Sequence, residues 1–207
     1  GAGTIDHGIG AVTSGGAVTT GPLAVSTGFL LTVTNAAGDS VTATTTVTVG
    51  SAVAITGFSA ARTTLTAGSS TTLTATFTNA SGASVDQGVG PVVSGVAVPV
   101  APASTTTYTL TALGLGGPVT ASATVTVLPP ASIASFTATP ASVVSGGSTQ
   151  LTATFAGGLA SIDHGVGAVT SGAAVAVTPA ASTTYLLTVT NAAGDAVTAA
   201  LPVPVDY

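Results

Sequence analysis

The chain repeats itself, and the repeat limits what it can fold into. Ile5-Asp-His-Gly-Ile-Gly-Ala-Val-Thr-Ser-Gly15 returns as Ile162–Gly172 with Val166 in place of Ile9. Leu30–Ala43 returns as Leu186–Ala199 with Ala196 in place of Ser40, and a more diverged copy runs from Val85-Asp-Gln-Gly-Val-Gly90 to Tyr108-Thr-Leu110. Phe58 matches Phe136, and Leu73 and Phe77 match Leu151 and Phe155, each pair 78 positions apart. A period near 78 is too long for a solenoid repeat and suits one independently folding β-domain per copy. The 207 residues then divide into units at 1–49, 50–127 and 128–207. The first of these matches only the later part of a unit, from the Ile-Asp-His-Gly segment onward.

Within a unit the hydrophobic period is two. Thr71-Thr-Leu-Thr-Ala-Thr-Phe-Thr78 sets Thr72, Thr74, Thr76 and Thr78 on one face, with Leu73, Ala75 and Phe77 on the other. Val119–Val127 alternates likewise, which marks antiparallel strands with one wet face. No stretch reads as helix, because β-branched residues dominate and Glu, Lys and Met are missing. Ala67-Gly-Ser-Ser70 and Ser145-Gly-Gly-Ser148 read as turns. Asn35-Ala-Ala-Gly-Asp39 and Asn191-Ala-Ala-Gly-Asp195 read as hairpin loops, with Gly supplying a positive φ and Asn or Asp binding nearby backbone. In the second unit the pattern predicts strands near 52–58, 63–66, 71–78, 83–87, 96–100, 106–113 and 119–127. Seven short antiparallel strands in so few residues predict an all-β fold of tandem antiparallel sandwiches.

The order Phe136-Thr-Ala-Thr-Pro140, Gly146–Leu151, Ser161-Ile-Asp-His-Gly165, Thr183-Thr-Tyr-Leu-Leu187 and Asn191-Ala-Ala-Gly194 resembles the tandem immunoglobulin-like repeats of bacterial surface and extracellular proteins. The resemblance covers both full units and the half unit. It implies a tyrosine corner at Tyr108 and Tyr185, with Phe29 at that place in the first unit. It also implies a spacer, an adhesin stalk or a fibre subunit at the cell surface or outside the cell.

Composition narrows the function classes. Only 3% of residues are charged, and Arg62 is the single cation. One cation cannot neutralise a run of phosphates or hold anionic headgroups, which excludes nucleic-acid binding and electrostatic membrane docking. No apolar run reaches the length of a membrane-spanning helix. Neither a basic n-region nor an apolar h-region opens the chain, so no signal peptide is read in residues 1–20. A mean hydropathy of +0.73 with so little charge leaves weak repulsion between copies, and association is expected. Glycans on Thr and Ser are the alternative source of solubility. With no Cys, no Met and no Lys, the chain resists oxidation and trypsin-like cleavage, as suits a durable extracellular protein.

Candidate chemistry is sparse. Asp6-His7 and Asp163-His164 are the acid–histidine pairs, and the middle unit has Asp86-Gln87 instead. Read as strand neighbours, their side chains point to opposite faces, which argues against a shared metal or a dyad. Calcium needs clustered oxygens, whereas Asp163 and Asp195 are far apart in sequence. No Gly-x-Ser-x-Gly elbow accompanies the histidines. The Thr-x-Thr rows at Thr42–Thr48 and Thr72–Thr78 read as ordinary wet strand faces rather than an ice- or carbohydrate-binding surface. Arg62 is expected to pair with an Asp of its own or a neighbouring chain. No catalytic, cofactor-binding or metal-ligating residue is therefore assigned, and no cofactor is expected.

The half unit is the most informative departure. Without the leading strands that 50–78 and 128–155 supply to the others, it should expose an apolar face and unpaired edges. Two readings account for it: the chain is a piece of a longer tandem array, or strands of a neighbour complete the first unit head to tail. The expectation is a non-enzymatic subunit or segment of an extracellular bacterial filament built from such units. A glycan- or surface-binding adhesin or stalk is the alternative. Only Asp206-Tyr207 are expected to lie beyond the last strand.

Overall fold

In the computed structural model, which describes residues 1–206, the elements are strands joined by turns, with no helix among the described residues. The first unit holds β1 (Ala2–Ile5), β2 (Gly10–Val12), β3 (Thr27–Thr34) and β4 (Ser40–Val47). The second holds β5 (Ala54–Ala60), β6 (Thr64–Thr66), β7 (Thr71–Thr78), β8 (Gly82–Val85), β9 (Gly90–Pro91), β10 (Ala97–Val100), β11 (Thr106–Leu113) and β12 (Val119–Leu128). The third holds β13 (Ser132–Thr139), β14 (Val143–Val144), β15 (Thr149–Ala156), β16 (Leu159–Ile162), β17 (Gly167–Val169), β18 (Ala174–Val177), β19 (Thr183–Thr190), β20 (Ala196–Val203) and β21 (Val205–Asp206). All seven segments predicted for the second unit are strands, and β9 is a short addition.

Each later unit stacks a three-stranded sheet on a larger one. β10-β7-β5 faces β6-β12-β11-β8-β9 in the second unit, and β13-β15-β18 faces β17-β16-β19-β20 in the third. The period-two pattern is what allows this, because one face of each strand is apolar. Leu73 and Ala75 of β7 meet Val85, Tyr108, Leu110 and Val125 in one core. Leu151 and Ala153 of β15 meet Ile162, Tyr185, Leu187, Val189 and Val203 in the other. Each fully buried Leu or Val contributes roughly 1.5–3 kcal/mol.

Pairing is not antiparallel throughout. β6 runs parallel to β12, and β14 runs parallel to β21. In the second unit the chain leaves the first strand, crosses the edge and joins the opposite sheet beside its last strand, whereas in the third β14 and β21 form a two-stranded ladder of their own. Val205–Asp206 thus belong to that edge ladder rather than lying beyond the last strand; Tyr207 is outside the described residues.

The first unit has one sheet only, ordered β2-β1-β3-β4. Its hairpin between β3 and β4 pairs from Thr27↔Val47 to Thr34↔Ser40. The predicted loop closes it: Gly38 takes φ 93, and Asn35 Oδ1 accepts from Ala37 N at 2.9 Å and Asp39 N at 3.0 Å.

Candidate assembly face

Three features could engage a partner or carry chemistry: the uncovered sheet of the first unit, the Asp-His turn, and the contact between the second and third units.

The uncovered sheet is best measured against its copy. Ile162, Leu187 and Val189 are 3%, 0% and 0% exposed, because β15 and its neighbours lie over them. The matching Ile5, Leu31 and Val33 are all half-exposed, and Phe29 alone of that face is buried, at 6%. Grooves of about 340 Å³ and 200 Å³ run along the face, lined by Ile5, Val12, Leu31 and Val33 and by Ile5, Phe29 and Leu31. Among the described residues, no strands cover this face. The face is thus partly exposed rather than fully open.

Absence of the covering sheet also changes local structure. Ala17–Thr20 correspond in sequence to Ala174–Val177, which form β18, yet Ala17–Thr20 are not a strand. The reason lies in the pairing: β18 is bonded only to β15, through Thr149↔Val177 to Thr152↔Ala174. Without a β15, the same sequence has no ladder to join. The preceding turn nonetheless keeps its shape. Gly16 N donates to Thr13 O at 3.1 Å, as Ala173 N does to Thr170 O.

That turn carries a clamp. Ser171 Oγ accepts from Phe155 N at 2.9 Å and donates to Phe155 O at 2.8 Å, while Gly172 N donates to Ala153 O at 2.8 Å. Ser94 and Gly95 hold Phe77 and Ala75 in the same way. Ser14 and Gly15 are the copies in the first unit, with no strand to grip. Sequence reading missed this clamp, although the Thr-Ser-Gly of both long repeats was its visible trace.

The Asp-His pairs differ from expectation. Asp6 and His7 lie in the tight turn between β1 and β2, not on a strand, and His7 takes φ 52. A left-handed residue after the Asp folds both side chains to one side, so His7 Nδ1 comes 2.9 Å from Asp6 Oδ1. His164 at φ 51 repeats this, with Nδ1 2.8 Å from Asp163 Oδ1. The imidazoles stand edge-on to Phe29 and Tyr185, at centroid distances of 5.4 Å and 5.5 Å.

The same Asp oxygen ties the turn to the neighbouring strand. Asp6, Asp86 and Asp163 Oδ1 accept from Leu30 N at 2.9 Å, Thr109 N at 2.7 Å and Leu186 N at 2.8 Å. Because Asp86 does this without a histidine, the carboxylate is the structural part and the imidazole an addition. His7 and Leu30 N–H hold the Asp6 carboxyl below its ordinary range, and Leu186 N–H and His164 do so for Asp163. A depressed folded-state pKa means the carboxylate bond is present above the unfolded-state value and is lost as pH falls through the folded value. The protection factors of the Leu30 and Leu186 amides, with the intrinsic pH dependence of exchange divided out, should therefore hold above the ordinary carboxylate range and fall only as pH drops below it. Unchanged protection down to pH 2 would contradict the tie.

Between the second and third units lies a contact the sequence did not announce. The hydroxyl of Thr66 in β6 accepts from Asn191 Nδ2 at 2.6 Å and donates to an oxygen of Asp195. Arg62 Nη2 donates to Ala193 O at 3.0 Å. Among the described residues Arg62 makes no ion pair with an Asp of its own chain: the guanidinium caps a loop carbonyl, while the nearby carboxylate is taken by Thr66. In the first unit the identical loop has no such hydroxyl, and Asn35 Nδ2 bonds Asp39 Oδ2 directly at 3.0 Å. Asn191 is 4% exposed, whereas Asn35 is exposed.

Among the described residues, no three His, Cys, Asp or Glu side chains converge. No family model matches the chain, and no curated protein matches it. Solved structures do. The chain is similar to Drosophila OTK extracellular domains 3–5, at TM-score 0.54 and 11% identity over 87% of this chain and 71% of that one. It is similar to Sidekick-1 immunoglobulin domains 1–4, at TM-score 0.51 and 13% identity over 99% of this chain and 67% of that one. A variant of titin domains I67–I69 gives TM-score 0.54 and 11% identity over 88% and 75%. The fold is a tandem of immunoglobulin-like β-sandwiches. At these identities the likeness shows the fold alone.

Within that fold, one implied feature differs. The rings of Tyr108 and Tyr185 are buried in the immunoglobulin-like cores, at 4% exposure each. Among the described residues neither hydroxyl makes the hydrogen bond of a tyrosine corner. Both positions serve as core aromatics, a role Phe29 fills equally well.

The junction between the two immunoglobulin-like units gives a further expectation. Thr66→Val keeps the volume but strips Asn191 and Asp195 of their shared hydroxyl, at a cost of roughly 1–3 kcal/mol. Residual dipolar couplings of the second and third units are expected to fit one alignment tensor in the native chain and to require two in the variant. A single tensor in the variant would show that the hydroxyl does not set the junction.

Proposed function

We propose that this chain is a non-enzymatic structural subunit of an extracellular bacterial filament built from immunoglobulin-like domains. In this reading the apolar face of residues 1–49 is covered within the assembly. The observation that carries the reading is the half-exposed face of Ile5, Leu31 and Val33, whose copies in the third unit are almost fully buried. A contiguous apolar face with a vacant strand position beside it gains by being covered. Strand addition between different surfaces is heterologous, so it propagates into an open fibre. The near-absence of charge supports the reading, because copies repel one another little.

The rival reading, an adhesin or stalk, calls for a concave polar site. The 400 Å³ groove at Gln87, Pro99 and Tyr108 is shallow and holds no charged side chain in its lining, and it does not favour that reading. Electron microscopy of the native material separates the two: the filament reading predicts regular fibres, and the stalk reading predicts isolated particles.

A further inference from the structure

We propose that β18 is an adhesive edge at which two copies of this chain join, β18 against β18, antiparallel about a two-fold axis at Ala176. The pairing uses the third unit alone and does not depend on how the face of the first unit is covered.

The second and third units carry the same edge strand with one difference. β10 reads Ala97-Val-Pro-Val100, and β18 reads Ala174-Val-Ala-Val177. Each is an outer strand of a three-stranded sheet, bonded on one side only. Neighbouring bonds fix which way its backbone points. Thr72 O accepts from Ala61 N, on the β5 side, and Ala75 O accepts from Gly95 N, on the β10 side. Odd-numbered residues of β7 therefore face β10 and even-numbered ones face away. Pro99 stands opposite Thr72, so its backbone points out of the sheet. The third unit repeats this geometry. Ala153 O accepts from Gly172 N, and Ala174 and Ala176 stand opposite Thr152 and Gln150. Their N–H and C=O groups point outward, and among the described residues nothing bonds them. Both side chains are exposed. In β10 the proline ring removes the outward donor and blunts the edge. Ala176 leaves it open.

Other edges in these two units are guarded. β5 is bulged between Ile55 and Gly57, and β13 between Ile133 and Ser135. β20 holds Pro202, and β6, β9, β14 and β17 span three residues or fewer. β18 has no proline, bulge or charge.

The edge fits itself. Centred on Ala176, antiparallel pairing sets Ala176 against Ala176 and Ala174 against Thr178. Thr178 continues the outward alternation, because the residue before Pro179 is held extended. On the inner face, Val175 of each copy meets Val177 of the other. Both valines are half-buried beside a groove of about 340 Å³ lined also by His164, Val166 and Tyr185. A second β18 covers their open sides with apolar side chains. Between His164 and Asp195 the sequence holds no charged residue, so the pairing opposes no like charges. A strand with a charge at an inner position would have to bury it there. A second copy is the better occupant.

Sedimentation velocity of the full chain over a concentration range reads the pairing. The Leu31→Asp background, which places a charge on the face of the first unit, isolates this edge from that face. A dimer is expected there, with amide exchange at Ala174, Ala176 and Thr178 slowing as concentration rises. Ala176→Pro copies the guard of β10, removes no bond within the sandwich and should weaken the dimer at least tenfold. Pro99→Ala gives β10 the sequence of β18 and should yield species larger than a dimer. Paired Cα atoms at the axis lie about 5.5 Å apart, within reach of a disulfide. Ala176→Cys, in a chain with no cysteine of its own, should therefore cross-link on mild oxidation much faster than Ala97→Cys. A monomer at every concentration, or a dimer that Ala176→Pro leaves intact, overturns the proposal. So does slow exchange at Ala174 and Ala176 that ignores concentration, which would assign the edge to an occupant within the chain. Fibres without this dimer overturn the edge and leave the filament reading standing; the dimer without fibres does the reverse.

Discussion

Leu187→Ala is expected to destabilise the third unit by about 2–5 kcal/mol, because the side chain is fully enclosed and its removal leaves a cavity. Leu31→Ala, the same change in an almost identical sequence, should cost well under half of that in dispersed chains. Leu187 is 0% exposed between β15 and the β16–β19 sheet, whereas Leu31 is partly exposed on a sheet that no second sheet covers. Part of the transfer free energy is missing from the start, and a site reached by water leaves a smaller cavity. Urea unfolding of dispersed protein, followed by residue-resolved exchange so that each unit is read separately, makes the comparison. Equal losses at the two positions would show that the first unit is covered in a way the fold does not provide. In assembled material the account predicts convergence, with Leu31→Ala approaching the cost of Leu187→Ala.

The second large effect concerns assembly. Leu31→Asp should leave the second and third units folded and weaken assembly more than a hundredfold. In the dispersed chain the new carboxylate sits at a wet surface. In a completed unit it would be buried against apolar side chains with no cation near, since Arg62 is the only one in the sequence and is engaged with Ala193 O. Burying an unpaired carboxylate costs several kcal/mol, and about 3 kcal/mol already exceeds a hundredfold. Thr32→Asp, on the opposite face of the same strand, adds the same charge without entering the apolar face and is the control. Sedimentation velocity over a concentration range reads both variants. Equal weakening by the two would assign the loss to net charge rather than to the face.

Much of the architecture was legible in the sequence because strands advertise themselves by a period of two and the copies could be laid against one another. The alternation in Thr71–Thr78 placed β7, and the Asn-Ala-Ala-Gly-Asp loops placed two hairpins with their glycine conformations. The open face followed from the same alignment: what the first unit lacked could be named from what the others had. What escaped was whatever depends on a partner distant in sequence. The parallel pairing of β6 with β12 comes from a crossover that no local pattern records. Thr66 and Asn191 are 125 positions apart, and nothing in either segment marks them as partners. Asp6-His7 was misplaced for a local reason: two polar residues followed by Gly-Ile-Gly were read as strand, when the Gly-x-Gly and a left-handed His make a turn. The failure of Ala17–Thr20 to form a strand follows the same logic, since strand formation is a property of the pair rather than of the segment.

The central claim, that the chain is a subunit of a filament, is tested most directly by helical reconstruction from electron micrographs of native, unfixed material. The account predicts regular fibres in which a second chain lies over Ile5, Leu31 and Val33. Isolated particles, or fibres in which that face is bare and the contacts lie elsewhere, would contradict it.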